Sequence, residues 1–153
     1  MAGQRALRVG VPAGAPISAE MESAEYSSAF ELGTNARRRP AEWWARAVFE
    51  GAPAVVRAVV ALGWRLVLRL RLGTADDHVL GWRIVERKPD VVVLEAVSPL
   101  LRAQNIVVTT ESAVTWSTLV RFDRPIARPI WAVVRPFHHL TIPYLLRRAD
   151  HGK

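Results

Sequence analysis

The stretch whose reading decides the fold is residues 79–122, VLGWRIVERKPDVVVLEAVSPLLRAQNIVVTTESAVTWSTLVRF. Leu80, Trp82 and Ile84 alternate with Gly81, Arg83 and Val85, the pattern of a half-buried strand, because successive strand side chains leave on opposite faces. The turn Arg87-Lys88-Pro89-Asp90 leads into Val91 to Val97, which predicts a hairpin. Ser98-Pro99 makes the next turn, Leu101 to Thr109 the next strand, and Glu111-Ser112 the turn after it. The last strand sets Val114, Trp116, Val120 and Phe122, with Thr118 among them, on one face. Thr115, Ser117, Leu119 and Arg121 take the other. Four consecutive strands joined by short turns predict an antiparallel meander.

Working outward, the segment after the meander reads as a long helix. Asp123 is placed to cap it, with Pro125 in the first turn. Pro129, Pro136 and Pro143 recur every seven residues and so fall on nearly one helical face. Each removes a backbone donor and crowds the preceding turn, so a curved or kinked helix is expected. Its apolar set, Ile130, Val133, Val134, Phe137, Leu140, Tyr144 and Leu145, is expected against the sheet, and Arg147 and Arg148 suit the negative end of the helix dipole. Upstream, Tyr26 to Leu32 alternates like a strand. Pro40 opens a helix carrying Trp43, Trp44, Ala47 and Val48 that Gly51 ends, and Pro53 opens a second. Residues 63–72 read two ways, as a continuation of that helix or as a short edge strand at Arg69 to Leu72. The fold class expected is α+β, an antiparallel sheet curved around a long C-terminal helix. Residues 1–25 lack periodicity and read as a mobile arm, 26–149 as a single domain and 150–153 as a tail.

Length and composition bound the function. A chain of 153 residues, half of them hydrophobic, builds one core. The net charge of +7 raises nucleic acid or an anionic membrane as partners. All but two of the 21 basic residues are arginine, however, and only Arg37-Arg38-Arg39 forms a block. Basic residues spread in this way read as a solvated surface, and no nucleic-acid partner is expected. The absence of cysteine excludes disulfides, thiolate metal sites and a cysteine nucleophile. Met1 to Pro16 lacks the apolar stretch of a secretory signal. The longest apolar run, Ala52 to Leu72, is interrupted by Arg57, Arg65, Arg69 and Arg71, short of the roughly 18 uninterrupted residues of a spanning helix. A cytoplasmic location is the expectation.

The order strand, two helices, meander, long C-terminal helix resembles the START-like superfamily, also called SRPBCC, which includes polyketide cyclases and the birch-pollen allergen family. More narrowly, Val79-Leu80-Gly81-Trp82-Arg83-Ile84-Val85-Glu86-Arg87, Asp90-Val91-Val92-Val93-Leu94-Glu95 and Pro143-Tyr144-Leu145-Leu146-Arg147-Arg148-Ala149 look like small actinobacterial proteins of unknown function in that superfamily. The likeness covers about Tyr26 to Ala149. It implies a helix-grip fold whose sheet and C-terminal helix enclose a cavity for lipids, polyketides or other small hydrophobic ligands. Candidate lining residues are Trp82, Leu94, Trp116 and Val120 from the strands, with Val133, Phe137, His138 and Tyr144 from the helix. No cofactor is implied, and no catalytic motif carries over.

Other residues are weighed for chemistry. His138 and His139 are adjacent, so they point about 100° apart on a helix and at most one faces a cavity. There it is an acid or base near neutral pH, or an ordinary amphipathic position. Glu95 shares a strand face with Val91, Val93 and Val97. Turned inward it is a buried base or ligand anchor, and turned outward a surface charge, the reading that avoids burying an unpaired carboxylate. Asp76, Asp77 and His78 are neighbours on one loop, where a metal needs converging ligands. Trp43 and Trp44 with the arginine-bearing segment Arg57 to Arg71 offer a third reading, peripheral membrane or partner contact. The three function classes are thus a binder of a small hydrophobic molecule, a cyclase-like enzyme using a cavity His or Glu, and an interaction protein.

Overall fold

In the computed structural model, which describes residues 6–12, 15–34, 39–73 and 76–151, the alternation of the meander is realised as paired strands. The strands are β1 (Leu7–Val9), β2 (Tyr26–Gly33), β3 (His78–Val79), β4 (Trp82–Lys88), β5 (Val91–Val97), β6 (Leu101–Thr109) and β7 (Ala113–Phe122). They form one antiparallel sheet in the order β1-β2-β7-β6-β5-β4-β3. Helices α1 (Ala41–Phe49), α2 (Ala54–Leu62) and α3 (Ala127–His151) complete an α+β fold, with a π-helical turn at Gly63–Val67 extending α2. The seven-stranded open sheet lies against the long C-terminal helix, the fold class expected.

One face of the sheet carries the main core. Phe30 and Leu32 of β2, Leu94 of β5, Val107 of β6 and Trp116 and Val120 of β7 pack there with Trp44, Val48 and Phe49 of α1 and Trp131, Leu145 and Leu146 of α3. The other face holds a small second cluster in which Met21 covers Val93, Ile106 and Leu119. Met21 belongs to a short 3-10 turn, Ala19–Met21. The described parts of this segment, residues 6–12 and 15–25, thus depart from the reading of a mobile arm; residues 1–5 and 13–14 lie outside the described residues. Leu7 to Val9 pair with Ala29 to Glu31, and Met21 is 1% exposed. A single methionine and three pairing residues leave no periodic trace, so the sequence reads as irregular while the segment roofs the sheet. The tail is corrected as well: α3 continues to His151, and Thr34 Oγ1 donates to Asp150 at 2.6 Å.

Two further elements differ from expectation. Val79 does not run on into the strand at Trp82. Leu80 and Gly81 have φ of 46° and 96°, a two-residue turn that pairs Val79 with Trp82 and His78 with Arg83. The alternation there is that of a hairpin and its turn. Asp123 does not cap α3, which begins at Ala127; its carboxylate accepts from Arg121 Nε at 2.9 Å. Of the two readings of residues 63–72, continuation of the helix holds for Gly63–Val67, which form the π turn, and Leu68 to Leu72 are an irregular stretch in place of an edge strand. Of the arginine block, only Arg39 lies among the described residues; its guanidinium stands over Trp43, 4.1 Å from the ring centroid.

Candidate ligand-binding cavity

The described residues enclose a cavity of about 300 Å³ between the sheet, the α2–π segment and α3. Its position follows from side-chain size. On the helix-facing side of the sheet, Ala103 and Asn105 of β6 and Thr118 of β7 are small or short where neighbouring positions carry Leu101, Val107, Trp116 and Val120. The helices above rest on the large residues and leave space over the small ones. Phe49, Trp64 and Trp82 wall one side: Phe49 meets Trp64 edge-on at 5.0 Å between centroids, and Trp64 meets Trp82 at 5.4 Å. Trp131 and His138, 5.7 Å apart, stand on the α3 side.

The floor is polar in a limited way. Asn105 Oδ1 accepts from Trp116 Nε1 at 3.0 Å and from Thr118 Oγ1 at 2.7 Å, both buried bonds. This leaves the amide NH₂ of Asn105 outside that network. The indole nitrogens of Trp82 and Trp131 and Nε2 of His138 are shielded from solvent and have no hydrogen-bond partner among the described residues. Each such group costs roughly 1–3 kcal/mol relative to a satisfied one.

His138 lies with part of its ring on the cavity and Nε2 hidden. Burial lowers its pKa to about 3, helped by the neighbouring His139 and by Arg8, so the imidazole is neutral at ordinary pH. His139 is turned away from the cavity and is also shifted down, by partial burial and then by Arg8 and Arg135. Its Nε2 is hydrogen-bonded to the hydroxyl of Tyr26, whose own pKa is raised by burial. The pair ties β2 to α3.

Of the sequence-predicted lining, Trp82, Val133, Phe137 and His138 border the cavity. Trp116 does not, but it lies under the floor and fixes Asn105. Leu94 and Val120 are fully buried in the core, and Tyr144 is 48% exposed on the outer side of α3. These three are corrections: Leu94 and Val120 are strand residues taken up by the core, and Tyr144 lies on the outer side of α3. The apolar set read for α3 is met in part: Leu145 is buried and Ile130 and Val134 pack against the core, beside Trp131, Ile142, Leu146 and Ala149, whereas Val133, Phe137, Leu140 and Tyr144 face outward. The helix has two apolar stripes, and hydrophobicity alone does not say which is inner. Phe49, Trp64, Asn105, Thr118 and Trp131 were missed. The small or short positions Ala103 and Asn105 on β6, and Thr118 opposite Asn105 on β7, were the available signal.

Glu95 lies on the far face of the sheet, where Arg102 pairs with it at 3.0 Å and Gln104 Nε2 donates at 2.8 Å. Asp77 binds His78 Nδ1 at 2.9 Å, and among the described residues no group of three or more metal-capable side chains converges. Trp44 is buried and Trp43 packs edge-on against it at 5.1 Å, so the tryptophan pair is not an outward surface. Among the described residues no single helix is long and apolar enough to cross a membrane.

Fold and site together define a class: an α+β protein with a seven-stranded antiparallel sheet, a long terminal helix and an apolar cavity between them. The family model described as a protein of unknown function, DUF2867, matches residues 21–145, and the chain belongs to that family. No curated protein and no solved structure shows a significant match.

Proposed function

We propose that this protein binds a small hydrophobic molecule in the cavity between sheet and C-terminal helix. One observation carries the reading. Protein interiors pack without voids much larger than a water molecule, yet about 300 Å³ stands open here, at the lower end of ligand-pocket volumes. The lining suits a compact ligand, with aromatic rings of Phe49, Trp64 and Trp82 for an apolar body and Asn105 and Thr118 as the polar floor. We read the fold as START-like, a helix-grip, because the order of elements and the place of the cavity agree with that resemblance.

The cyclase-like reading rests on His138 alone, since His139 is engaged with Tyr26 and Glu95 lies on the opposite face. A histidine shifted to about 3 is a weak base, and no carboxylate lines the cavity among the described residues.

The test is native mass spectrometry and organic extraction of the purified full chain, with saturable uptake of a hydrophobic fluorescent probe. Wild type is expected to carry or take up ligand. Ala103→Leu, which fills the floor, is expected to lower probe affinity about tenfold or more while keeping its circular dichroism. Equal uptake by both proteins, or no saturable uptake by wild type, overturns the reading.

A further inference from the structure

Apart from Arg57, helix α2 is built from apolar residues, AVVRAVVAL, yet none of them is buried. A helix of that composition is stable in water only when another apolar phase covers it. Val55, Val59 and Leu62 recur at spacings of four and three on one side, 75%, 61% and 55% exposed. Across the cavity mouth, α3 presents Val133, Phe137 and Leu140 at the same spacing, 68%, 68% and 73% exposed. Val59, Val133 and Phe137 also line the cavity, so the two stripes belong to one face and the cavity opens in it.

The two segments that form this face carry charge of one sign. Residues 51–75 contain Arg57, Arg65, Arg69 and Arg71 and no acidic residue. Residues 124–149 contain Arg124, Arg128, Arg135, Arg147 and Arg148 and again none. Arg65 follows Leu62 by three positions and Arg147 follows Leu140 by seven, so each stripe runs into an exposed arginine. A second copy across this face would set arginine against arginine with no carboxylate from either segment to answer it. An anionic headgroup layer over hydrocarbon supplies both complements at once.

We propose that this face docks on an anionic lipid bilayer, with α2 and the outer stripe of α3 in the interface and the cavity mouth toward the lipid. The docking rests on the exposed stripes and their charge, and holds whether or not the cavity binds a ligand.

The experiment is flotation of the full chain with vesicles of phosphatidylcholine alone and of phosphatidylcholine with phosphatidylglycerol, at low and high salt. Binding is expected to the anionic vesicles and to weaken with salt. Leu62→Glu with Leu140→Glu, both outside the cavity lining, is expected to reduce binding about tenfold or more while leaving probe uptake intact. Arg65→Gln and Arg147→Gln, exposed and harmless to folding, should each weaken it about fivefold. Absence of flotation, or binding indifferent to lipid charge, overturns the proposal even if probe uptake persists. So does a concentration-dependent dimer in sedimentation velocity that the double glutamate variant abolishes, or a discrete protein partner lost in that variant without any vesicle binding.

Discussion

His138 sets how the protein responds to acid. Burial lowers its folded pKa to about 3, whereas in the unfolded chain it titrates near 6.5, its ordinary value. Between those values the unfolded chain holds a proton that the folded one does not, so acid favours unfolding. The contribution is fully present above about pH 6.5 and is lost as pH falls toward 3, at up to about 1.4 kcal/mol per pH unit. His139 acts in the same direction, and the positive charges of Arg8 on β1 and Arg135 on α3 add to the cost of protonating this cluster. Urea unfolding of His138→Gln at pH 7, 5.5 and 4.5 is expected to show a shallower acid limb than wild type. Identical limbs would mean that the ring is free to reach solvent.

Gly81 makes the second residue-scale prediction. It combines a φ of 96° with a backbone so close to Leu72 that an added Cβ would lie 2.6 Å from the Leu72 Cβ. Both terms oppose a side chain. Gly81→Ala is expected to cost on the order of 1–3 kcal/mol in chemical denaturation. A Gly63→Ala control tests the reasoning, because a Cβ at Gly63 meets nothing within 4 Å and that residue is helical. That control should be neutral or mildly stabilising.

At the scale of elements, the strands of the meander were legible because alternation is a local signal that pairing preserves. β5 occupies Val91–Val97 and β6 Leu101–Thr109, the predicted spans. What misled was any element whose meaning depends on a partner. The turn at Leu80-Gly81 reads as strand because a two-residue turn keeps the period of its flanks. Helix α3 reads correctly as a long apolar helix that sets Ile130, Val134 and Leu145 against the core, and incorrectly at Val133, Phe137 and Leu140, because Trp131, Ile142 and Leu146 compete with these on equal hydrophobic terms. The site inherits that error. Trp82, Phe137 and His138 were found from sequence, and Trp131 and the small floor residues were not, since a cavity is defined by which positions face one another. The same competition leaves the outer stripe of α3 exposed, the excess apolar surface on which the docking face depends.

At the scale of the whole molecule, the sheet has two faces and only one is covered by helices. The second is closed by the N-terminal segment: β1 pairs with β2, Met21 covers Val93, Ile106 and Leu119, and Gln104 Nε2 donates to Ser18 at 3.3 Å. A mobile arm could be removed without consequence, whereas a roof could not. Deleting residues 1–24 strips Met21, whose loss from a buried site alone costs about 2–5 kcal/mol. It also turns β2 into an open edge strand, with the backbone groups of Ala29 to Glu31 that paired with β1 now presented to other chains. The truncated chain is therefore expected to unfold at least about 2 kcal/mol earlier in urea, to bind a hydrophobic dye on its far face and to self-associate. Met21→Ala in the full chain separates the two effects. It should reproduce the loss of stability but not the association, because β1 still guards the edge. Unchanged stability in both variants would return the segment to the mobile arm its sequence suggests.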